Sequence, residues 1–156
     1  MDEWWGGFGG AAGSRERALL LPRLFFQHFT DTSHLVEQAD GRLVAFLIGF
    51  VSASEPDTAY VHFVGVEPTL RRTGLAAGLY EHFIQQATER GARVVRCVTS
   101  PGNTTSLAFH TGIGFQVDSS ETVQNGVPVQ LDYDGPGQHR ITFTRRLAPP
   151  PPQART

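Results

Sequence analysis

The chain has 156 residues, enough for one domain with a sizeable core. Its formal charge is −2 and its 13 basic residues are all arginine, so no basic field marks a nucleic-acid surface. A single cysteine, Cys97, excludes an internal disulfide; no long apolar run predicts a membrane span and the start carries no basic and apolar leader pattern, so the cytoplasm is the expected location.

Residues 1–18 are rich in Gly and Ala and read as a flexible lead-in. Gly6-Gly7-Phe8-Gly9-Gly10 has neither the preceding strand nor the βαβ unit that a dinucleotide loop needs. Trp4 and Trp5 stand out there and are expected to pack on the domain. Residues 19–29 predict a helix with Pro22 in its first turn. Leu24, Phe25 and Phe29 should face the core, and His28 reads as a packed or surface histidine. Residues 34–37 predict a short strand, and Asp40-Gly41 marks a hairpin turn. Residues 43–52 form an apolar run, expected as a central strand covered on both faces. A turn with Pro56 and Asp57 leads to the strand 60–66, the third antiparallel strand in succession.

Pro68 ends that strand. The loop Thr69-Leu70-Arg71-Arg72-Thr73-Gly74 follows, and then Leu75, Leu79, Phe83 and Ala87 recur every four residues, a helical stripe stopped at Gly91. A loop feeding a helix start gathers unpaired amides and the positive end of the helix dipole. That combination is an anion site. Two arginines add charge, and Gly74 lets a ligand approach the backbone. The natural guest is a phosphate-bearing cofactor.

Residues 93–99 predict the next strand. Cys97 lies in its middle and reads as core, since a nucleophilic thiol needs exposure and a lowered pKa. Pro101-Gly102 ends the strand, and Thr104 or Thr105 can cap a helix running to about Thr111. Gly112 and Gly114 close it. Residues 115–117 start another strand, and 127–133 and 140–146 read as the final ones around Asp134-Gly135-Pro136-Gly137. Residues 149–152 are a polyproline tail, expected extended or disordered beyond a domain of residues 1–148.

Arg71-Arg72-Thr73-Gly74-Leu75-Ala76 resembles the (Gln/Arg)-x-x-Gly-x-(Gly/Ala) loop of the GNAT superfamily of N-acetyltransferases, with the strand and the amphipathic helix in their places on either side. Downstream, Asn103-Thr104-Thr105-Ser106-Leu107-Ala108-Phe109-His110-Thr111-Gly112-Ile113-Gly114-Phe115 is similar to the family's Asn-x-x-Ala-x-x-(aliphatic/aromatic)-Tyr-x-x-x-Gly-Phe segment. Ser106 stands for Ala and His110 for Tyr. The matches cover residues 59–115.

The resemblance implies an α/β (α+β) GNAT fold: a mixed, mostly antiparallel, twisted sheet with helices on both faces. In it the strands ending at Val66 and beginning at Arg93 run parallel and part, and the pantetheine arm of CoA lies in the gap. Acetyl-CoA is the implied cosubstrate, without a metal. The acceptor would be an amine on a small molecule or a protein, with no nucleic acid or membrane as partner, and homodimers are common in the family. GNAT domains begin with a strand and a helix, and no convincing strand precedes His34 here. The chain is therefore expected to start late and lack the first strand; a strand within residues 1–15 beside residues 43–52 would refute this. Trp4, Trp5 and Phe25-Phe26 could wall the acceptor cleft.

Acyl transfer to an amine needs the cofactor held, the amine deprotonated, the oxyanion stabilised and the leaving thiolate protonated. The resemblance places the diphosphate on the amides of Arg72, Thr73, Gly74, Leu75 and Ala76, with the side chains of Arg71 and Arg72 adding charge. It places the pantetheine on the backbone of Val64 and Val66 and on Asn103, which otherwise reads as a turn residue. The oxyanion donor would be the Val66 amide. His110, in the tyrosine's place, is the candidate general acid, and would need a raised pKa or a water relay. The family's glutamate base, where present, falls at Tyr60, so glutamate is absent. His62, on the same strand face, is the candidate base, or else a strand histidine satisfied by its neighbours. Glu67 reads as a loop carboxylate. Asp132, Asp134 and His139 either border the acceptor pocket or belong to a solvated loop. A GNAT-like acyl-CoA-binding or regulatory module with little turnover is the other reading. Gly-x-Ser-x-Gly is absent, and a P-loop cannot form without lysine.

Overall fold

The computed structural model describes Trp4 and residues 19–148. The expected lead-in, the test for a strand within residues 1–15, Trp5 and the polyproline tail lie outside the described residues. The contacts divide the chain into two compact units. The first runs through Val51 and resumes over Val61–Ala87; the second comprises Ser52–Tyr60 and the chain from Thr88 onward.

The first unit opens with α1 (Arg23–His28), whose N-cap is Pro22. Pro fits there because its missing N–H belongs to the orphaned first turn. This helix is shorter than residues 19–29 and buries no residue fully. Leu24, expected in the core, is 52 % exposed. Six residues cannot present two full apolar turns, so only Phe25 and Phe29 pack: Phe25 on His62 and Phe29 on Phe50. Strands β1 (His34–Glu37) and β2 (Leu43–Val51) pair antiparallel, His34 opposite Leu47. The turn between them is the expected one: Gly41 has φ +81° and Asp40 accepts from the Arg42 amide at 3.0 Å.

Val44 to Ile48 are all buried, as a strand covered on both faces requires. A hairpin leads into β3 (Thr58–Val66), which runs from the second unit into the first. A 3₁₀ turn (Pro68–Leu70) and the loop to Gly74 precede α2 (Leu75–Glu89). Leu79, Tyr80, Phe83 and Ala87 form its buried stripe. The Phe83 ring lies on Gly49 of β2, where a Cβ would come within 2.5 Å of the ring. Trp4 stacks on Phe46 with centroids 6.0 Å apart, so it packs on the domain as expected.

In the second unit the start of β3 pairs parallel with β4 (Val94–Thr99). The pairing ends at Tyr60 and Arg96, although β3 runs on to Val66 and β4 to Thr99. Helix α3 (Thr104–Gly112) leads to β5 (Gln116–Val117). The last strand, β8 (Ile141–Arg146), lies antiparallel to both β4 and β5. The hydrogen-bonded order is β1-β2-β3-β4-β8-β5, a mixed and mostly antiparallel sheet of six strands. Cys97 is buried in β4 opposite Phe143.

Residues 127–133 do not form one strand. β6 (Val123–Gln124) and β7 (Val127–Pro128) instead make a separate two-stranded ribbon. Asn125 and Gly126, both at positive φ, form its turn. The Asn-Gly dipeptide between Val123 and Val127 carried that signal, and it outweighs the apolar character of 127–133. No described helix is long and apolar enough to cross a membrane.

Candidate active site

In the first unit the predicted phosphate loop stands at the start of α2. Arg72 has φ +63° and Gly74 φ +93°. Two left-handed residues in a short loop turn successive amides toward one side, the geometry of an anion nest. The first helical bond there runs from the Gly78 amide to the Gly74 carbonyl at 2.9 Å. Among the described residues none accepts from the amides of Arg72 to Ala77. A Cβ on Gly74 would meet nothing within 4 Å, so the backbone is open to a ligand there. The loop is braced from behind: Thr73 donates its hydroxyl to the Leu70 carbonyl at 2.7 Å.

The two arginines differ. Arg71 donates through Nε to the Val66 carbonyl at 3.2 Å and through Nη2 to the Trp4 carbonyl. Its side chain ties the loop to β3 and to the N-terminal segment. Arg72 makes no hydrogen bond or ion pair among the described residues. Glu67 is paired with Arg42 at 2.6 Å and is a loop carboxylate, as expected.

His62, Val64 and Val66 are half-buried on β3. The His62 ring lies on Phe25, centroids 4.2 Å apart and planes 14° from parallel. Its Nε2 is 2.5 Å from the Leu20 carbonyl oxygen. A carbonyl can only accept, so Nε2 carries the proton and, in the neutral ring, Nδ1 carries the lone pair.

In the second unit Asn103 caps α3, its side-chain oxygen accepting from the Ser106 amide at 3.1 Å. Thr104 and Thr105, the expected caps, are the first helical residues. Asparagine takes the position because its oxygen reaches the third amide, and the amide NH₂ of Asn103 stays available as a donor. His110 is 4 % exposed, stacked on Phe143 at 4.8 Å and edge-on to Phe115. Its Nδ1 lies 2.8 Å from the Ser106 carbonyl, which fixes the proton on that nitrogen.

Burial lowers the His110 pKa from the ordinary 6.5; the hydrogen bond to Ser106 opposes this and is the smaller effect. The imidazole is therefore neutral at pH 7. The raised pKa that direct proton donation requires is not what this site supplies. The unfolded chain then binds a proton near pH 6.5 that the folded chain refuses. Stability is full above that range and falls as pH drops through it toward the folded pKa. In urea titrations at several pH values, His110→Phe should flatten this acid-side loss. An unchanged slope would show that His110 is not its source.

A cavity of about 160 Å³ opens in the second unit, lined by Tyr60, Arg96, Asp118, Gln130, Tyr133 and Phe143 among others. Burial, first, and then the neighbouring Tyr133 raise the Tyr60 pKa far above its ordinary value. Its phenol is a hydrogen-bond donor, not a base. Of these cavity residues only Tyr60 stood at a position the resemblance marked; the signal available for Arg96 was its outward place between Val95 and Cys97, both buried. Asp132 and Asp134 serve the loop itself: Asp132 accepts from the Gly137 amide at 2.7 Å and Asp134 pairs with Arg140 at 2.6 Å. Among the described residues no group of three or more His, Cys, Asp or Glu could hold a metal.

The mixed six-stranded sheet with its helices defines a class, the α/β proteins. Residues 1–115 match the acetyltransferase (GNAT) family, and the chain belongs to that family. It is 28 % identical over 130 residues to L-2,4-diaminobutyric acid acetyltransferase of Nocardia farcinica, covering 81 % of this chain and 63 % of that protein. To the enzyme of the same name from Streptomyces coelicolor it is 37 % identical over 89 residues, covering 56 % and 52 %. The chain thus spans less than two thirds of either relative. Among solved structures, Chaetomium thermophilum Naa20 in complex with a bisubstrate analogue shares the fold, with TM-score 0.66, 18 % identity and coverage of 79 % of this chain and 70 % of that one.

Proposed function

We propose that the protein transfers an acetyl group from acetyl-CoA to a primary amine by direct attack. The observation that carries this is the run of unaccepted amides from Arg72 to Ala77 at the start of a 15-residue helix. Members of the family use acetyl-CoA, and the loop fits its diphosphate: amides of Arg72 to Ala76 as donors, the Arg72 side chain as countercharge, Gly74 for close approach. Arg71 acts from the protein side, through Val66. The Val64 and Val66 backbone and the Asn103 amide are assigned to the pantetheine, and the Val66 amide to the oxyanion. The acetyl group arrives as a thioester.

The acceptor enters as an ammonium and leaves as an amide, so its nitrogen loses two protons. Both pass to solvent, the first by way of His62, and the departing sulfur takes one back from water. Nδ1 of His62 takes the first proton, directly or through water, while Nε2–H stays on the Leu20 carbonyl. The sulfur, with a reference pKa of about 8.5 by analogy with Cys, leaves as thiolate and is protonated from water. His110 takes the tyrosine's place as a neutral ring whose Nε2 accepts. The relatives' diaminobutyric acid makes a small amine-bearing amino acid the first acceptor class to test.

Gly74→Val tests the cradle. A β-branched residue at φ +93° strains the loop and puts carbon where the backbone should meet phosphate. CoA affinity is expected to fall at least about tenfold, measured by calorimetry, with the melting temperature little changed. Unaltered affinity in a folded variant would remove the diphosphate from this loop.

The neutral state of His110 favours one second reading, an acyl-CoA-binding module with little turnover. A thermal shift with CoA and no thiol release from acetyl-CoA on any of a panel of amines would select it.

A further inference from the structure

The cavity in the second unit is lined by two residues of opposite charge, Arg96 and Asp118. Arg96 stands on the outward face of β4, and Asp118 follows β5, its amide donating to the Thr142 carbonyl at 2.9 Å. Neither side chain forms an ion pair among the described residues, whereas Asp134 is paired with Arg140 and Asp132 lies beside His139. The acidic loop has consumed its own carboxylates; Asp118 is the anion left facing the cavity.

The loop that brings Gln130 and Tyr133 to the cavity is pinned at its base. Gln130 and Arg140 exchange backbone bonds at 2.8 and 3.0 Å and close the loop that carries Tyr133. Gln130 donates its side-chain amide to the Ser119 carbonyl at 2.9 Å, which turns its oxygen into a spare acceptor. Tyr60 and Tyr133 add phenols. At about 160 Å³ the space has room for a small polar molecule. Phe143, which lines it, carries His110 on its ring at 4.8 Å.

A cavity with one cation and one anion that do not neutralise each other is matched by a ligand bearing both charges. A simple amine leaves the guanidinium unmatched, and a simple acid leaves the carboxylate unmatched. We propose that this cavity binds an amino acid, Arg96 pairing with its carboxylate and Asp118 with an ammonium group. This binding chemistry stands apart from the transferase reading. The planar guanidinium suits a carboxylate as a two-pronged donor.

The test is calorimetry on the full chain with CoA present, using L-2,4-diaminobutyric acid and 1,3-diaminopropane, the same skeleton without the carboxylate. The parent should bind the amino acid about tenfold or more tightly than the diamine. Arg96→Gln should erase that preference by weakening the amino acid alone. Asp118→Asn should weaken both compounds, and Arg96→Lys should keep part of the preference. Circular dichroism and melting temperature establish that each variant is folded; Arg96 is exposed on its strand, so the backbone should tolerate the change. Absence of a preference in the parent, or a preference that survives Arg96→Gln, overturns the proposal. Thiol release is followed separately. Binding with the expected charge pattern but no turnover would sink the transferase reading and keep the site; turnover without the charge pattern would do the reverse.

Discussion

His62→Ala should lower kcat by about 10²- to 10³-fold while leaving CoA affinity nearly unchanged. The expectation follows from one hydrogen bond. Leu20 offers His62 only a carbonyl oxygen, so Nε2 must hold the proton and Nδ1 must hold the lone pair. Stacking on Phe25 stops the ring from turning that lone pair away. A base whose tautomer and orientation are both fixed needs no rearrangement before it accepts a proton. Alanine removes the base and the stacking partner together, so a second measurement separates the two effects. Added imidazole should restore part of the rate in His62→Ala. A kcat close to that of the parent, or a lost rate that imidazole does not restore, would assign His62 to packing alone.

The largest effect on stability is expected where α2 meets β2. Phe83 is 0 % exposed, and its ring occupies the space above Gly49. Phe83→Ala should cost about 3–5 kcal/mol, because the cavity it leaves is closed on all sides. Gly49→Ala should cost about 1–3 kcal/mol from overpacking: the new Cβ would stand 2.5 Å from ring Cε2 and 2.9 Å from Cζ, inside contact distance. The two changes share one volume, so they should not add. In the Phe83→Ala background Gly49→Ala should be close to neutral, since the ring it strikes is gone. Chemical denaturation of the four proteins in this cycle gives the coupling directly. Equal cost of Gly49→Ala in both backgrounds would mean that the ring can move aside and that glycine is not required for packing.

Much of the fold was legible because its signals are local. The apolar run 43–52 predicted a strand covered on both faces, and Val44 to Ile48 are buried. The four-residue spacing of Leu79, Phe83 and Ala87 predicted the inner face of α2, and those residues are its buried stripe. Pro68, Gly74 and Gly91 marked real boundaries, since each constrains its own φ or hydrogen bonding irrespective of the rest of the chain. The failures were also physical. Leu24 looked like core because it is apolar, but α1 is too short to bury two faces. The apolar run 127–133 looked like one strand, but a type of turn that favours Asn125-Gly126 claimed its first two residues for a separate ribbon.

What the sequence determined by itself was the sheet's first strands, the crossover helix, and the amide-rich loop and Asn103–Phe115 segment that together resemble the GNAT family. Each depends on residues a few positions apart, so pattern is enough. What only the tertiary structure decided was the protonation and the charge environment of the site. Which nitrogen of His62 is free depends on the carbonyl of Leu20, 42 positions away. Burial against Phe143 makes His110 a neutral ring instead of an acid. Arg96 and Asp118 share a cavity through β4, β8 and the chain after β5. Hydrogen-bond partners and desolvation come from whatever the fold brings alongside, and that information is not carried by the spacing of the residues that titrate.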